Sequence, residues 1–224
     1  MRLTFTLLFS LLFTGISAQY EAKIFNADYQ FTDGIYLSHA SWLANTPDLS
    51  WEEIDGEMVQ LPEDYRVQIA AMRHKNGSEF ERVYAMSLDG FPYICVRHDE
   101  QKNFHEFAGL RFRGRYAYFR YSRKELTSKM MYAYNPANGR PFRGAEVERE
   151  REVLSEVLLH VPSGEQRSLN RQNVYEILDG YSDLQRAVAL LAPDDQELRS
   201  KLTRAVKLYN EREPLLLPLP PKSE

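Results

Sequence analysis

The chain is nearly devoid of cysteine: Cys95 is the single thiol among 224 residues. That excludes an intrachain disulfide framework and any zinc site built on clustered cysteines. Charge of one sign is also missing, with 28 Lys and Arg against 32 Asp and Glu for a formal charge of −4. A protein that coats nucleic acid through bulk charge needs a basic excess, so no nucleic-acid partner is expected. Beyond the first residues no apolar run approaches the length that spans a bilayer. An outer-membrane barrel would need alternating strands to the end of the chain, and this one closes with helical periodicity and a Pro-rich tail. An integral membrane protein is therefore not expected. Hydrophobic content of 43% with 27% charged residues excludes wholesale disorder.

Catalytic signatures are absent as well. His39, His74, His98, His105 and His160 never fall in an H-x-x-x-H or H-E-x-x-H spacing. There is no G-x-S-x-G elbow, and Gly109, Gly114 and Gly144 do not precede capped helices that would cradle a phosphate. With 32 acidic residues no carboxylate pair can be singled out for glycoside chemistry. His98-Asp99-Glu100 and His105-Glu106 flank one turn, an arrangement that reads as polar turn residues rather than a metal site. Cys95 sits between Ile94 and Val96 without a neighbouring histidine, as a small strand hydrophobe does. No cofactor and no metal are expected.

What the chain does have begins at its first residue. Arg2, the apolar run Leu3–Phe13, the break at Thr14-Gly15 and the small residue Ala18 make the three parts of a secretory signal peptide over residues 1–18. Cleavage after Ala18 leaves 206 residues with a formal charge of −5. The apolar run is too short for a membrane span, and no cysteine follows it to take a lipid anchor. The expected location is periplasmic or secreted, where a single cysteine has nothing to mispair with.

Residues 19–213 read as one α+β domain, strand-rich to about 168 and helical from 170 to 213, followed by a Pro-rich tail over 214–224. Asp33-Gly34 marks a turn into the strand fragment Ile35–Leu37, and Ser38 caps a short helix with Trp42 and Leu43 before Pro47. From Asp48 to Asp64 there are seven acidic residues and no basic one, which predicts a solvated loop with short extended pieces. Strands are expected over Tyr65–Arg73, with Val67, Ile69 and Ala71 on one face, and over Phe80–Leu88, Phe91–His98, Asn103–Arg113 and Arg115–Arg123. Asn76-Gly77, Asp89-Gly90 and Gly114 supply the turns. Asn135–Pro141 is a further turn. The run Glu146–Glu152 separates glutamates from arginines if extended and stacks glutamates if helical, which favours an extended approach into a strand over Val153–Val161. Three helices then follow, capped at Asn170, at Ser182, and at Asp194 or Asp195. The fold class is α+β: an antiparallel sheet or partly open barrel followed by a small C-terminal cluster of three helices.

Four landmarks together carry a resemblance. They are Asp33–Ser38 with Trp42, Asn45 and Pro47; the central strand Phe91–Val96; the turn Pro162–Glu165 leading to the Asn170 helix; and Tyr209–Pro214 at the close of the last helix. The chain resembles a family of uncharacterised exported bacterial α+β proteins, which more often carry Phe where Trp42 stands and Thr where Ser163 stands. The resemblance implies export and architecture, and no activity.

One segment stands apart in chemistry. Between Arg111 and Lys124 lie six basic residues and no acidic one, interleaved with five aromatic residues. In a hairpin bent at Gly114, Arg111, Arg113 and Arg115 share a face, and Tyr116, Tyr118 and Arg120 share another. Such a ribbon can bind an anionic polymer or a glycan by charge and stacking. The simpler alternative is a half-buried strand pair whose arginines meet the glutamates of 146–156 or the acidic loop 48–64. The tail Leu215–Pro221 can dock as polyproline in a partner, or pack its leucines on its own domain. The sequence thus leads to an exported, non-enzymatic envelope protein, with an envelope-polymer hydrolase or an anion-binding module as alternatives and an envelope protein as another conceivable partner. Protein recovered from the periplasm or medium of a secreting host is expected to begin at Gln19 by intact mass. Exported material that retains residues 1–18 overturns that reading.

Overall fold

The computed structural model describes residues 21–78, 82–134 and 136–219. The proposed leader at 1–18, Phe80 at the head of one expected strand, Asn135 in a turn, and the last residues of the tail from Pro220 lie outside the described residues. In chain order the elements are β1 (Ala22–Ile24), β2 (Gly34–Tyr36), α1 (His39–Leu43), β3 (Ile54–Leu61), β4 (Arg66–His74), β5 (Ala85–Leu88), β6 (Phe91–Asp99) and β7 (Phe104–Gly109). There follow β8 (Tyr116–Tyr134), β9 (Pro141–His160), β10 (Glu165–Ser168), α2 (Arg171–Ile177), α3 (Ser182–Ala189), α4 (Leu198–Arg212) and β11 (Leu216–Pro218). Every strand pair is antiparallel, so the chain is α+β on antiparallel sheets.

Six strands form one sheet in the order β2-β5-β6-β7-β4-β3. It curls because two bulges each insert a residue into a ladder. One is in β4, where Ala71 takes a left-handed φ of 52°. Strict alternation would bury Ala71 with Val67 and Ile69; the extra residue turns Ala71 to solvent and buries Met72 instead. The acidic stretch 48–64 is more regular than a solvated loop with short extended pieces. Its middle is the edge strand β3, and its exposed Asp55 and Glu57 place charge on an edge that would otherwise template another strand.

The expected N-terminal landmarks have physical roles. Ser38 caps α1, its Oγ accepting from the Ser41 N–H at 3.0 Å. The Asp33 carboxylate accepts from Ser87 Oγ and from the Asp89 and Gly90 amides, tying β2 to the β5–β6 turn. Asn45 is fully buried, with Oδ1 accepting from the Thr32 amide and the Tyr36 hydroxyl and Nδ2 donating to the Tyr29 hydroxyl and Gln30 carbonyl. Left unpaired, such an amide would cost about 1–3 kcal/mol. Around it Phe25, Tyr29, Phe31 and Trp42 pack edge-to-face and stacked, with ring centroids 5.1–6.0 Å apart.

The tail belongs to this core. β11 pairs with β1, Leu217 is buried, and the Tyr29 hydroxyl donates to the Pro218 carbonyl. The base of the β8–β9 hairpin lies across the aromatic core, with Ala117, Phe119 and Leu159 facing it. Tyr118 and Leu158 point the other way, onto Val174, Leu178, Val188, Leu202 and Val206 of the helical segment. Asn170 caps α2 through the Asn173 amide at 2.8 Å. Ser182 is the first residue of α3 rather than its cap, and α4 begins at Leu198 after a turn in which Asp195 accepts from the Glu197 amide. The extended reading of 146–152 holds, but β8 and β9 run far past the expected limits at Arg123 and Val153.

Asn210 on α4 joins the helices to the hairpin. Its side chain both accepts from the Tyr116 amide, at 3.0 Å, and donates to the Tyr116 carbonyl, at 2.8 Å, as a neighbouring strand would. Gly114 has φ 156°, and a Cβ there would stand 2.4 Å from Asn210 Cγ. Gly114→Ala is expected to lower stability by about 2 kcal/mol or more in urea melts. Removing the obstructing amide in Gly114→Ala/Asn210→Ala should cost less than the sum of the two single losses; strict additivity would rule out the contact.

Candidate functional site

A cleft of about 760 Å³ opens where the β1–β11 ribbon, the link between β7 and β8, and α4 meet. The link, Leu110–Arg115, is not a strand of a hairpin bent at Gly114. It folds back on β8 only through one bridge, Phe112 to Tyr118. That short return places Arg111, Phe112, Arg113 and Gly114 on the cleft wall and leaves Arg115, Tyr116, Tyr118 and Arg120 off it.

Each cation of the cleft lies over an aromatic ring. The Arg111 guanidinium is 4.7 Å from the Tyr65 ring centre, Arg113 is 4.6 Å from Phe91, and Lys207 of α4 is 5.5 Å from Phe112. Tyr65 is presented by a left-handed backbone (φ 54°) after the turn Pro62–Asp64. Phe91 crosses Gly109 so closely that a Cβ there would come within 2.8 Å of its ring. Sequence and topology together therefore set both platforms.

The arginines bond to backbone, not to acids. Arg111 donates to the Asp64 carbonyl at 3.0 Å, and its buried Nε meets no acceptor. Arg113 donates to the Tyr29 carbonyl at 2.5 Å and the Ala27 carbonyl at 3.3 Å. Among the described residues neither forms an ion pair, so the expected neutralisation by 146–156 or by the carboxylates of 48–64 is not what holds them. Burial lowers the Arg113 guanidinium to about 10; burial, and then the charge of Arg120, lower Arg111. Glu211 is the one acid on the lining, and it is exposed. The walls between are largely apolar, from Ile24, Phe25, Leu110 and Leu215.

The other ribbon residues are placed apart. Tyr116 packs on His160 and Tyr209, and Arg115 lies beside the same group with its Nε buried and unpaired. Tyr118 enters the helical core and donates to Glu156, which Arg199 also binds. Arg120 stands opposite Glu156 in the ladder. Arg111 and Arg113 are thus joined with Tyr65, Phe91 and Lys207, which no spacing in the sequence connects to them.

The remaining chemistry-bearing residues do not assemble. Burial pushes the Cys95 thiol up to about 11, the opposite of an activated thiolate. Glu106 faces Arg66 at 2.9 Å. No group of three or more His, Cys, Asp or Glu suited to a metal ion occurs among the described residues, and no helix among them is long and apolar enough to cross a membrane. Comparison with protein-family models, with curated proteins and with solved structures finds no match to this chain.

His98 and His105 stack across β6 and β7 with ring centres 4.2 Å apart. His105 is buried with both ring nitrogens unpaired, and burial followed by the charge of His98 lowers it to about 4. The unfolded chain takes up that proton near pH 6.5, so between the two values it binds more protons than the folded one. Stability is expected to fall as pH drops from about 6.5 to about 4 and to level off below. His105→Phe, which keeps the stack, should flatten this fall in urea melts across that window. An unchanged slope would assign the loss to other groups.

Proposed function

We propose that this chain is an exported binding protein of the bacterial envelope, non-enzymatic, whose cleft takes an anion with an apolar body. The signal-peptide pattern of residues 1–18 and the likeness to exported bacterial α+β proteins support the location. The observation that carries the ligand class is the pair Arg111 and Arg113: two guanidinium groups on an apolar cleft wall that, among the described residues, form no ion pair with a carboxylate. A buried or half-buried cation without a counter-charge is costly, and an incoming carboxylate or phosphate supplies that charge through charge-assisted hydrogen bonds. Lys207 adds a third cation from α4, and on this reading the three C-terminal helices act as one cluster that carries it to the rim.

The aromatic rings favour an amphiphilic anion over a neutral glycan. Sugar faces bind to open rings, and here Tyr65, Phe91 and Phe112 each carry a cation on one face. The wall left for the body of the ligand is that of Ile24, Leu110 and Leu215.

Calorimetric titration with an alkyl phosphate, a fatty acid and an uncharged alkyl glycoside of equal chain length tests this. The two anions are expected to bind and the glycoside to bind at least about tenfold more weakly, about 1.4 kcal/mol. Arg113 also holds the Ala27 and Tyr29 carbonyls, so its removal confounds binding with folding. Arg111→Gln/Lys207→Gln is the cleaner variant, expected to weaken the anions about tenfold or more with little change in melting temperature. Equal affinity for charged and uncharged probes, or no binding of either anion, overturns the reading.

A further inference from the structure

The distal half of the β8–β9 hairpin leaves the body of the protein. Among the described residues, from the pair Arg123–Val153 to the pair Ala133–Arg143 it has no third strand beside it and no core against either face. At about 3.4 Å per residue this arm is roughly 35 Å long. A two-stranded ribbon open to water on both faces is marginal by itself and gains stability when something packs on it. Yet Leu126 is 70%, Tyr132 53% and Met130 51% exposed.

The ladder register sorts its charges. On the face of Lys124, Leu126, Ser128, Met130 and Tyr132, the opposite strand contributes Glu146, Glu148, Glu150 and Glu152. Four glutamates therefore stand against one lysine. The other face carries Arg123, Lys129, Arg143, Arg149 and Arg151 against the single Glu125, with Met131 and Val147 between them. Both faces belong to one ribbon, so each arm presents the complement of its own opposite face.

We propose that the arm is a self-association element whose occupant is a second copy of this chain, the glutamate face of one arm lying on the arginine face of another. Like faces would bring glutamate to glutamate, which charge opposes; unlike faces set four glutamates against five cations and cover Leu126, Met130 and Met131. The contact is heterologous, so each added copy leaves one free face of each sign and assembly proceeds beyond the dimer. One face of roughly 35 by 10 Å gives about 700 Å² buried in total, short of a stable single interface. Association is therefore expected to depend on concentration and to weaken with salt. The residues involved are separate from the cleft, and the inference does not rest on its ligand.

Charge exchange tests it by sedimentation velocity of the purified protein. The wild type is expected to form species larger than a dimer at about 20 mM salt and to dissociate at about 500 mM. R143E/R149E/R151E makes both faces acidic and E146R/E148R/E150R makes both basic; each alone is expected to remain monomeric, and an equimolar mixture to associate again. A wild type that stays monomeric at low salt, variants that self-associate as before, or a mixture that does not recover association overturns the proposal. Retention of a monomeric wild type on anionic lipid vesicles through the arm overturns it in favour of a membrane surface. Should a variant not fold, a photo-crosslinker at Tyr132 in the otherwise native chain decides: adducts with the 143–151 segment of another copy support the arm contact, and adducts elsewhere or none refute it.

Discussion

The base of the β8–β9 hairpin is buried on both faces, and the other elements are arranged around that constraint. A strand pair presents alternate residues to opposite sides. Ala117, Phe119 and Leu159 go to the aromatic core, and Tyr118 and Leu158 go to the helices. Fully burying one such side chain is worth about 1.5–3 kcal/mol, and here both sides of one ladder contribute. A one-residue slip would exchange the two faces. Asn210 opposes it at the first residue of β8 by bonding both polar groups of the Tyr116 backbone.

The cleft follows from the same joint. The chain must pass from the end of β7 to the start of β8 within a few residues, and Gly114 makes that passage against Asn210. The return carries Arg111 and Arg113 onto Tyr65 and Phe91, where stacking and carbonyl acceptors hold them without acid partners. Among the described residues neither guanidinium forms an ion pair with a carboxylate of the protein.

Core and arm of the hairpin show the same alternation put to different uses. Near the body it sorts apolar residues between two cores. Past Arg123 it sorts glutamate from arginine, and among the described residues no core is present to compensate for ordering the chain. The apolar side chains that remain exposed there are the ones a second ribbon would cover.

The residues alone were enough for the antiparallel α+β class, for the Ser38 and Asn170 caps, for the end of the last helix before Pro214, and for the extended state of the glutamate-arginine run. Each depends on interactions spanning about four residues or on strict alternation. The bulge at Ala71, the pairing of the acidic stretch's extended pieces as one edge strand and the pairing of β1 with β11 were not legible, because each depends on a partner strand. The ribbon from Arg111 to Lys124 stood out by composition, yet only two of its six candidate residues reach the cleft. Tyr65, Phe91 and Lys207 join them from three separate elements. Local chemistry determined which groups carry charge and aromatic surface; packing of distant segments decided which of them meet, because a cation and its ring are brought within 5 Å only by the closed fold.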